Sequence, residues 1–392
     1  MNQRNQEPVF QYQKWNGYFA QLARGVEDLC ADELAELGAT KTKSTFKGVY
    51  FEADKKTLYR INYQSRIASR ILAPLLTFQC HSTKYLYRTA KTIQWSEVLS
   101  SHDTFAVSAT VSQSKITHSK YAALCVKDAI ADYFTEAYGK RPDVETARPD
   151  VQVNVHIQNN KAVISLDTSG DALHKRGYRV QTLEAPMRET LAAAIIRVTG
   201  WDGRTPLCDP MCGSGTFVSE ALMHACRIPS GFLRTRFGFE RLPDFEPDLW
   251  KRLKEGEDRR IRAIPRGILF GSDLSEEAVN ISRKNCENLP GNEAVTWKIA
   301  PIENIRFPGG IIVCNPPYGI RLGDRKQAAD LYRKMGDAFK HRCGGSTVFI
   351  YVGDPALIRQ FGMKPSMKRP ITNGPIEGRL CRFEIFPPRH SG

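Results

Sequence analysis

Asp209-Pro210-Met211-Cys212-Gly213-Ser214-Gly215-Thr216 stands where a short apolar strand, Pro206 to Asp209, passes into a helical pattern, Thr216 to Cys226. Phe217, Val218, Ala221, Leu222 and Ala225 recur at helical spacing along that pattern,. Two glycines let backbone approach a ligand closely, and the start of the helix offers unpaired amide donors. In an open α/β sheet, ligands bind outside the carboxyl ends of the strands at such a crossing. The third glycine of GxGxxG is missing, which disfavours a nicotinamide dinucleotide, and no lysine follows to make a phosphate-cradling GxxxxGK[ST]. A tight bend of small residues remains the plain alternative for this turn taken alone.

Strand-then-helix alternation from about Ala185 onward marks a doubly wound parallel sheet,. Gly267 to Asp273 reads as the second strand, Ile311 to Cys314 as the third and Thr347 to Val352 as the fourth, with Ser275 capping the helix after Asp273,. Asn373-Gly374 and Leu380 to Phe386 read as a closing antiparallel hairpin,. An acid at a strand end, here Asp273, is the usual acceptor for two ribose hydroxyls, although it can equally cap the next helix.

Asn315-Pro316-Pro317-Tyr318-Gly319 leaves the third strand directly. Two prolines cannot extend a sheet ladder, so the chain is rigid as it leaves the core. An exocyclic amine on a nucleobase is a poor nucleophile because its lone pair is delocalised into the ring. The Asn315 side-chain oxygen and the Pro316 carbonyl can accept its two N–H groups and turn the lone pair toward an electrophile, with Tyr318 stacking on the base. Catalysis of this kind is positioning and electrostatic preorganisation rather than strong general-base chemistry.

The series Asp209–Thr216, Asp273 and Asn315–Tyr318 resembles the class I S-adenosylmethionine-dependent amino-methyltransferases. The upstream text, Leu173 to Arg179 and Ala185 to Ala193, looks more specifically like the bacterial 23S ribosomal RNA guanine-N2-methyltransferases that carry a THUMP domain. The resemblance covers nearly the whole chain from about Trp15. It implies a ferredoxin-like segment, then a THUMP α/β domain, then a Rossmann-like catalytic domain with a seven-stranded, mostly parallel sheet. Its expected boundaries here are a flexible N-terminus at 1–14, then 15–60, 61–168 and 169–392, with an insertion at about 227–266. Some relatives carry a second methyltransferase domain, for which 392 residues leave no room.

By position, the resemblance assigns Asp209, Pro210, Cys212, Gly213, Gly215 and Thr216 to the methionine and ribose part of S-adenosylmethionine. Asp273 would hold the ribose with Leu274 beside the adenine, and Arg188 and Glu189 would cover the methionine end. Asn315, Pro316, Pro317 and Tyr318 would hold the guanine amine, Asn315 also facing the cofactor. One departure concerns the acid that relatives place against the adenine amine: that place reads Ile299-Ala300-Pro301, leaving Glu303 or backbone groups as substitutes. No metal is implied. Adenine N6 and a tRNA guanine are the alternative targets, since the same motif serves both bases; a non-catalytic RNA-binding assembly factor is the alternative of another class.

Composition agrees with a polyanionic partner. Lys plus Arg number 56 against 42 Asp plus Glu, a net charge of +14,. Residues 60–127 carry nine of the basic residues and two acids, whereas 1–59 balance at eight each. Within that stretch Lys84, Tyr85, Arg88, Lys91, Lys115 and Lys120 are candidates for gripping RNA, cations for phosphates and rings for unpaired bases. A solvated face over core aromatics is the competing reading. Ten scattered cysteines without a CxxC pair, a polar N-terminus and the lack of a long apolar run point to a reducing cytosol, with no membrane span and no obligate protein partner evident,.

Overall fold

The computed structural model describes residues 9–183, 186–317 and 324–387. These form two compact units, the first made of residues up to Leu22, Ala31–Leu173 and Arg234–Lys254, the second of Ala23–Cys30, His174–Leu233 and the chain from Glu255.

The first unit is built on α1 (Gln11–Trp15), β1 (Gly17–Gln21), α2 (Glu27–Glu36), whose second half lies here, β2 (Thr40–Thr45), β3 (Gly48–Glu52), α3 (Lys55–Gln64), β4 (Arg70–Gln79), α4 (Thr83–Lys91), β5 (Thr104–Ser112), α5 (Ser119–Tyr138), β6 (Asp143–Val144), β7 (Val151–Gln158) and β8 (Lys161–Asp167). Among the described residues its sheet has eight strands in the order β2-β3-β1-β4-β8-β7-β5-β6. One continuous ladder therefore runs through both N-terminal segments, joined where β4 pairs antiparallel with β1 and with β8. The β7–β8 hairpin turns on Asn159 and Asn160 at φ 50° and 58°, the left-handed pair that a two-residue turn between twisted strands requires,. Asp54 starts α3 by accepting the Thr57 amide at 2.7 Å,.

From Phe10 onward the segment expected to be a flexible leader is packed: Phe10 and Tyr12 are buried, and the Tyr12 hydroxyl donates to Asp244 Oδ1 at 2.7 Å. Burying two aromatic rings outweighs the entropy of a loose end. The expected insertion also divides. Arg234–Lys254 belongs to the first unit, where Phe237, Phe239 and Trp250 close an aromatic cluster with Tyr59 and Tyr63 of α3. Ring centroids lie 4.6 Å apart for Tyr59–Phe239 and 5.2 Å for Tyr63–Trp250, pairs worth roughly 0.5–1.5 kcal/mol each beyond their buried area,.

The second unit holds α6 (Glu189–Thr199), β9 (Leu207–Asp209), α7 (Thr216–Ala225), the end of α8 (Pro247–Asp258), β10 (Leu269–Asp273), α9 (Glu276–Cys286), β11 (Val295–Ile299), β12 (Ile311–Cys314), α10 (Asp324–Arg342), β13 (Thr347–Val352), β14 (Met367–Asn373) and β15 (Ile376–Glu384). Its seven described strands run β11-β10-β9-β12-β13-β15-β14, the first five parallel and β15 antiparallel to both neighbours. β9 and all but the first residue of β12 and β13 are buried, as central strands covered on both faces must be,. Parallel register sets Asp209 beside Gly271 and Ile312 beside Cys208, so the carboxyl ends of β10, β9 and β12 form one edge. Among the described residues no helix is long and apolar enough to cross a membrane.

Candidate active site

The turn after β9 is fixed from three directions. From β10, Asp273 accepts the Gly213 amide on Oδ2 and the Ser275 amide on Oδ1, both at 3.0 Å. From α9, Ser282 Oγ donates to the Gly213 carbonyl at 2.8 Å and Asn285 Nδ2 to the Ser214 carbonyl at 3.0 Å. From the segment before α6, Arg179 donates from Nη1 to Ser214 Oγ and from Nη2 to Thr216 Oγ1, both at 2.9 Å. Gly213 and Gly215 take φ 53° and 80°, where a side chain is strained,. A Cβ on Gly215 would press on Ser282 at 3.0 Å, whereas one on Gly213 would meet nothing within 4 Å. The backbone thus leaves open space above Gly213.

Charge is distributed unevenly around that space. Burial, with a smaller contribution from Asp273, pushes the Asp209 carboxyl well above the ordinary range, although Oδ1 accepts the Met211 amide at 3.1 Å. Asp273 is half-buried. Beyond it Leu274 is 73% exposed, and Ile299, which pairs with Asp273 across β10–β11, is 57% exposed. Two bare aliphatic side chains beside an accessible carboxylate suit a flat heterocycle attached to a diol. Cys212 is buried and its thiol is raised by that burial, with Sγ 3.4 Å from Ser282 Oγ; it packs and is no nucleophile,.

Glu189 opens α6 with its carboxylate buried, and Arg179 Nε donates to it at 2.8 Å. Arg188 is the exposed residue before the helix. Pro210 is buried behind the turn and Thr216 begins α7. Glu303 sits in a single helical turn, Ile302–Asn304, after β11, where Lys334 of α10 lies 3.0 Å away and lowers its carboxyl below the usual value. Asn315 is half-buried, Pro316 buried and Pro317 exposed immediately past β12. Tyr318 lies outside the described residues.

The other candidates lie in the first unit. Lys84, Tyr85, Arg88 and Lys91 are all on α4, where positions 84, 88 and 91 share a face,. Tyr85 is 50% exposed, whereas Lys91 is paired with Glu136 of α5. Lys115 and Lys120 are exposed just before and at the start of α5.

Sequence reasoning passed over Arg179, Ser282 and Asn285, and marked Ile299 only as the place where relatives carry an acid. Arg179 stands in the quoted Leu173–Arg179 text, yet its partners at 187, 189, 214 and 216 are brought to it only by folding.

A mostly parallel seven-stranded sheet closed by an antiparallel pair, with this turn and strand-end acid on its ligand edge, defines a class I S-adenosylmethionine-dependent methyltransferase,. The model of the RMKL-like methyltransferase domain matches residues 176–382, a THUMP domain matches 80–167 and an RlmL ferredoxin-like domain 17–72. A Synechocystis sp. protein named as an RNA methyltransferase is 38% identical over 371 residues, 94% of this chain and 97% of its own length. The ribosomal RNA large subunit methyltransferase K/L of Syntrophotalea carbinolica is 36% identical over 390 residues, 96% of this chain and 54% of its own, so the chain spans about half of that relative. SMU.472, described as a methyltransferase and crystallised with S-adenosylhomocysteine, superposes with a TM-score of 0.82 at 28% identity, covering 95% of this chain and 98% of the other. This chain belongs to the RMKL-like methyltransferase family, and its methyl donor is S-adenosylmethionine.

Proposed function

We propose that this protein transfers a methyl group to the exocyclic N2 of a guanine in 23S ribosomal RNA, in the cytosol. The observation that carries the reading is Asn315-Pro316-Pro317 leaving β12 at the same sheet edge as the Asp209–Thr216 turn of β9. The relative of matched length is named as an RNA methyltransferase and the half-matched one as acting on the large ribosomal subunit, which supports RNA as the substrate.

In this reading Asp273 accepts the ribose hydroxyls, Leu274 and Ile299 flank the adenine, and the open side of Gly213 admits the methionine portion. Asp209, Pro210, Cys212, Gly215 and Thr216 shape the turn, and Glu189 and Arg188 cover its far side. Glu303, ion-paired with Lys334, remains the candidate acid for the adenine amine. When bound, S-adenosylmethionine supplies an electrophilic methyl on sulfonium. Asn315 Oδ1 and the Pro316 carbonyl would accept the two N–H groups of the guanine amine and direct its lone pair at that carbon; the methyl would leave sulfur as it joins nitrogen, and the surplus proton would pass to water. Because the amine lies on a base edge, the nucleotide is unpaired or flipped when it reacts. The α4 cations with Lys115 and Lys120 take RNA phosphates.

Incubation with labelled S-adenosylmethionine and total RNA from a deletion strain, followed by nucleoside mass spectrometry, tests it. N2-methylguanosine in 23S RNA is expected. Label only in tRNA, or N6-methyladenosine, overturns the target. Asn315→Ala should abolish turnover while binding S-adenosylhomocysteine and RNA; an assembly factor without catalysis would keep its biological effect in that variant.

A further inference from the structure

A pocket of about 570 Å³ opens in the second unit at the amino-terminal ends of β9 and β10, and Arg204, Arg227 and Arg262 line it. It sits at the end of the sheet opposite the ligand edge. Ile268, in its wall, immediately precedes β10, and Asp273, on that edge, ends it; five residues of extended chain span roughly 16 Å at ~3.3 Å per residue,.

Each arginine arrives differently. Arg262 is anchored twice at the end of α7: its amide donates to the Cys226 carbonyl and its Nε to the Ala225 carbonyl, both at 2.9 Å. Arg204 lies 3.4 Å from Asp202, the acid in the pocket wall. Arg227 is the informative one. It follows the last turn of α7 at φ 57°, with the Ile228 amide closing back on the Met223 carbonyl at 2.9 Å. That is the left-handed position where helices ordinarily place glycine, and an arginine there is strained. Its guanidinium is exposed and makes no hydrogen bond or ion pair among the described residues. Complementing the α7 carbonyls accounts for Arg262, whereas it does not account for a side chain kept where its backbone is disfavoured.

We propose that this pocket holds a backbone phosphate of the RNA substrate, so that the catalytic unit grips the strand at both ends of its sheet. The ligand is a phosphodiester because three arginines and a single acid, Asp202, line the pocket, and planar forked donors match phosphate oxygens,. The proposal rests on the reading of RNA as substrate.

The test uses the full chain, a 23S RNA fragment and S-adenosylhomocysteine, with Arg227→Gly, the double variant Arg204→Gln/Arg227→Gly, and Arg259→Gln as a control, an exposed arginine outside the pocket. Arg227→Gly relieves the backbone, so its Tm should hold or rise and cofactor-product binding should be unchanged. RNA binding should weaken about three- to tenfold, and the slope of log K against log salt should fall by about 0.7–0.9 for each phosphate that is no longer neutralised. Arg259→Gln should leave that slope in place. Wild-type affinity and slope in Arg227→Gly, or an equal loss in Arg259→Gln, overturns the pocket. So does an effect of Arg227→Gly on inorganic phosphate binding alone. If the wild type binds S-adenosylhomocysteine and no RNA, the reading of the substrate fails and takes the pocket with it.

Discussion

Arg179 Nε lies 2.8 Å from Glu189 Oε1, and the other end of the same guanidinium holds Ser214 Oγ and Thr216 Oγ1. One side chain thereby locks the entry to α6 onto the turn between β9 and α7. A planar fork makes these bonds together; an ammonium cannot.

Arg179→Lys should therefore misplace the turn without unfolding the unit. Hydrogen bonds to charged groups contribute roughly 1.5–3 kcal/mol each, so losing one or two should weaken S-adenosylhomocysteine at least about tenfold. Calorimetric titration reads this, with kcat at saturating donor changing less than KM. Equal loss in Arg179→Lys of RNA binding and of Tm would mean a general packing role instead.

Gly213 and Gly215 separate geometry from space. Gly213→Ala places a methyl in the opening, at a cost of about 1–2 kcal/mol for the left-handed backbone,. The variant should fold and fail to bind S-adenosylhomocysteine. Gly215→Ala meets Ser282 Cβ, Oγ and Cα at 3.0–3.1 Å and should lose more stability. Urea unfolding alongside calorimetry distinguishes the two.

Asp209 gives a pH dependence of definite sign. Burial raises its folded-state carboxyl well above the ordinary 3.8, the Met211 amide opposing and Asp273 assisting. The folded form thus holds a proton that the unfolded form gives up, and this contribution is present below pH 3.8 and lost as pH rises toward the folded value,. Asp209→Asn should gain stability relative to wild type as pH rises from 4 to 8, the difference vanishing in acid. Denaturation curves that stay parallel across that range would refute it.

The thiols should be silent in the native protein. All ten cysteines are buried, and burial pushes Cys226, Cys343 and Cys381 up to about 11 and Cys286 to about 12. At pH 8 a chromogenic disulfide reagent should label none until denaturant is added, and then all ten,. Rapid labelling of Cys212 in the folded state would contradict its packing role.

Much of the catalytic unit is legible in the sequence because parallel α/β structure writes itself as buried strand, turn and helix. Asp209, Asp273 and Asn315 can be set on strand ends from the residues alone. Other parts leave little trace. β2 reads Thr-Lys-Thr-Lys-Ser-Thr and is largely exposed, so it has no apolar alternation and exists through its backbone ladder with β3,. The aromatic residues between 237 and 250 announce burial without saying against what; Tyr59 and Tyr63 lie more than 170 positions upstream. Arg176 and Tyr178 likewise converge on the buried Glu220 across 44 and 42 positions, a link only folding reveals.

Because Ala23–Cys30 and Arg234–Lys254 each sit in the unit opposite to their chain neighbours, the polypeptide is threaded like a double stitch, crossing five times. No single cut yields two complete halves. On the ribosome, α3 waits for Phe237, Phe239 and Trp250 to be synthesised before its aromatic side is sealed, so the amino-terminal half matures only after the first strand of the carboxyl-terminal half already exists,.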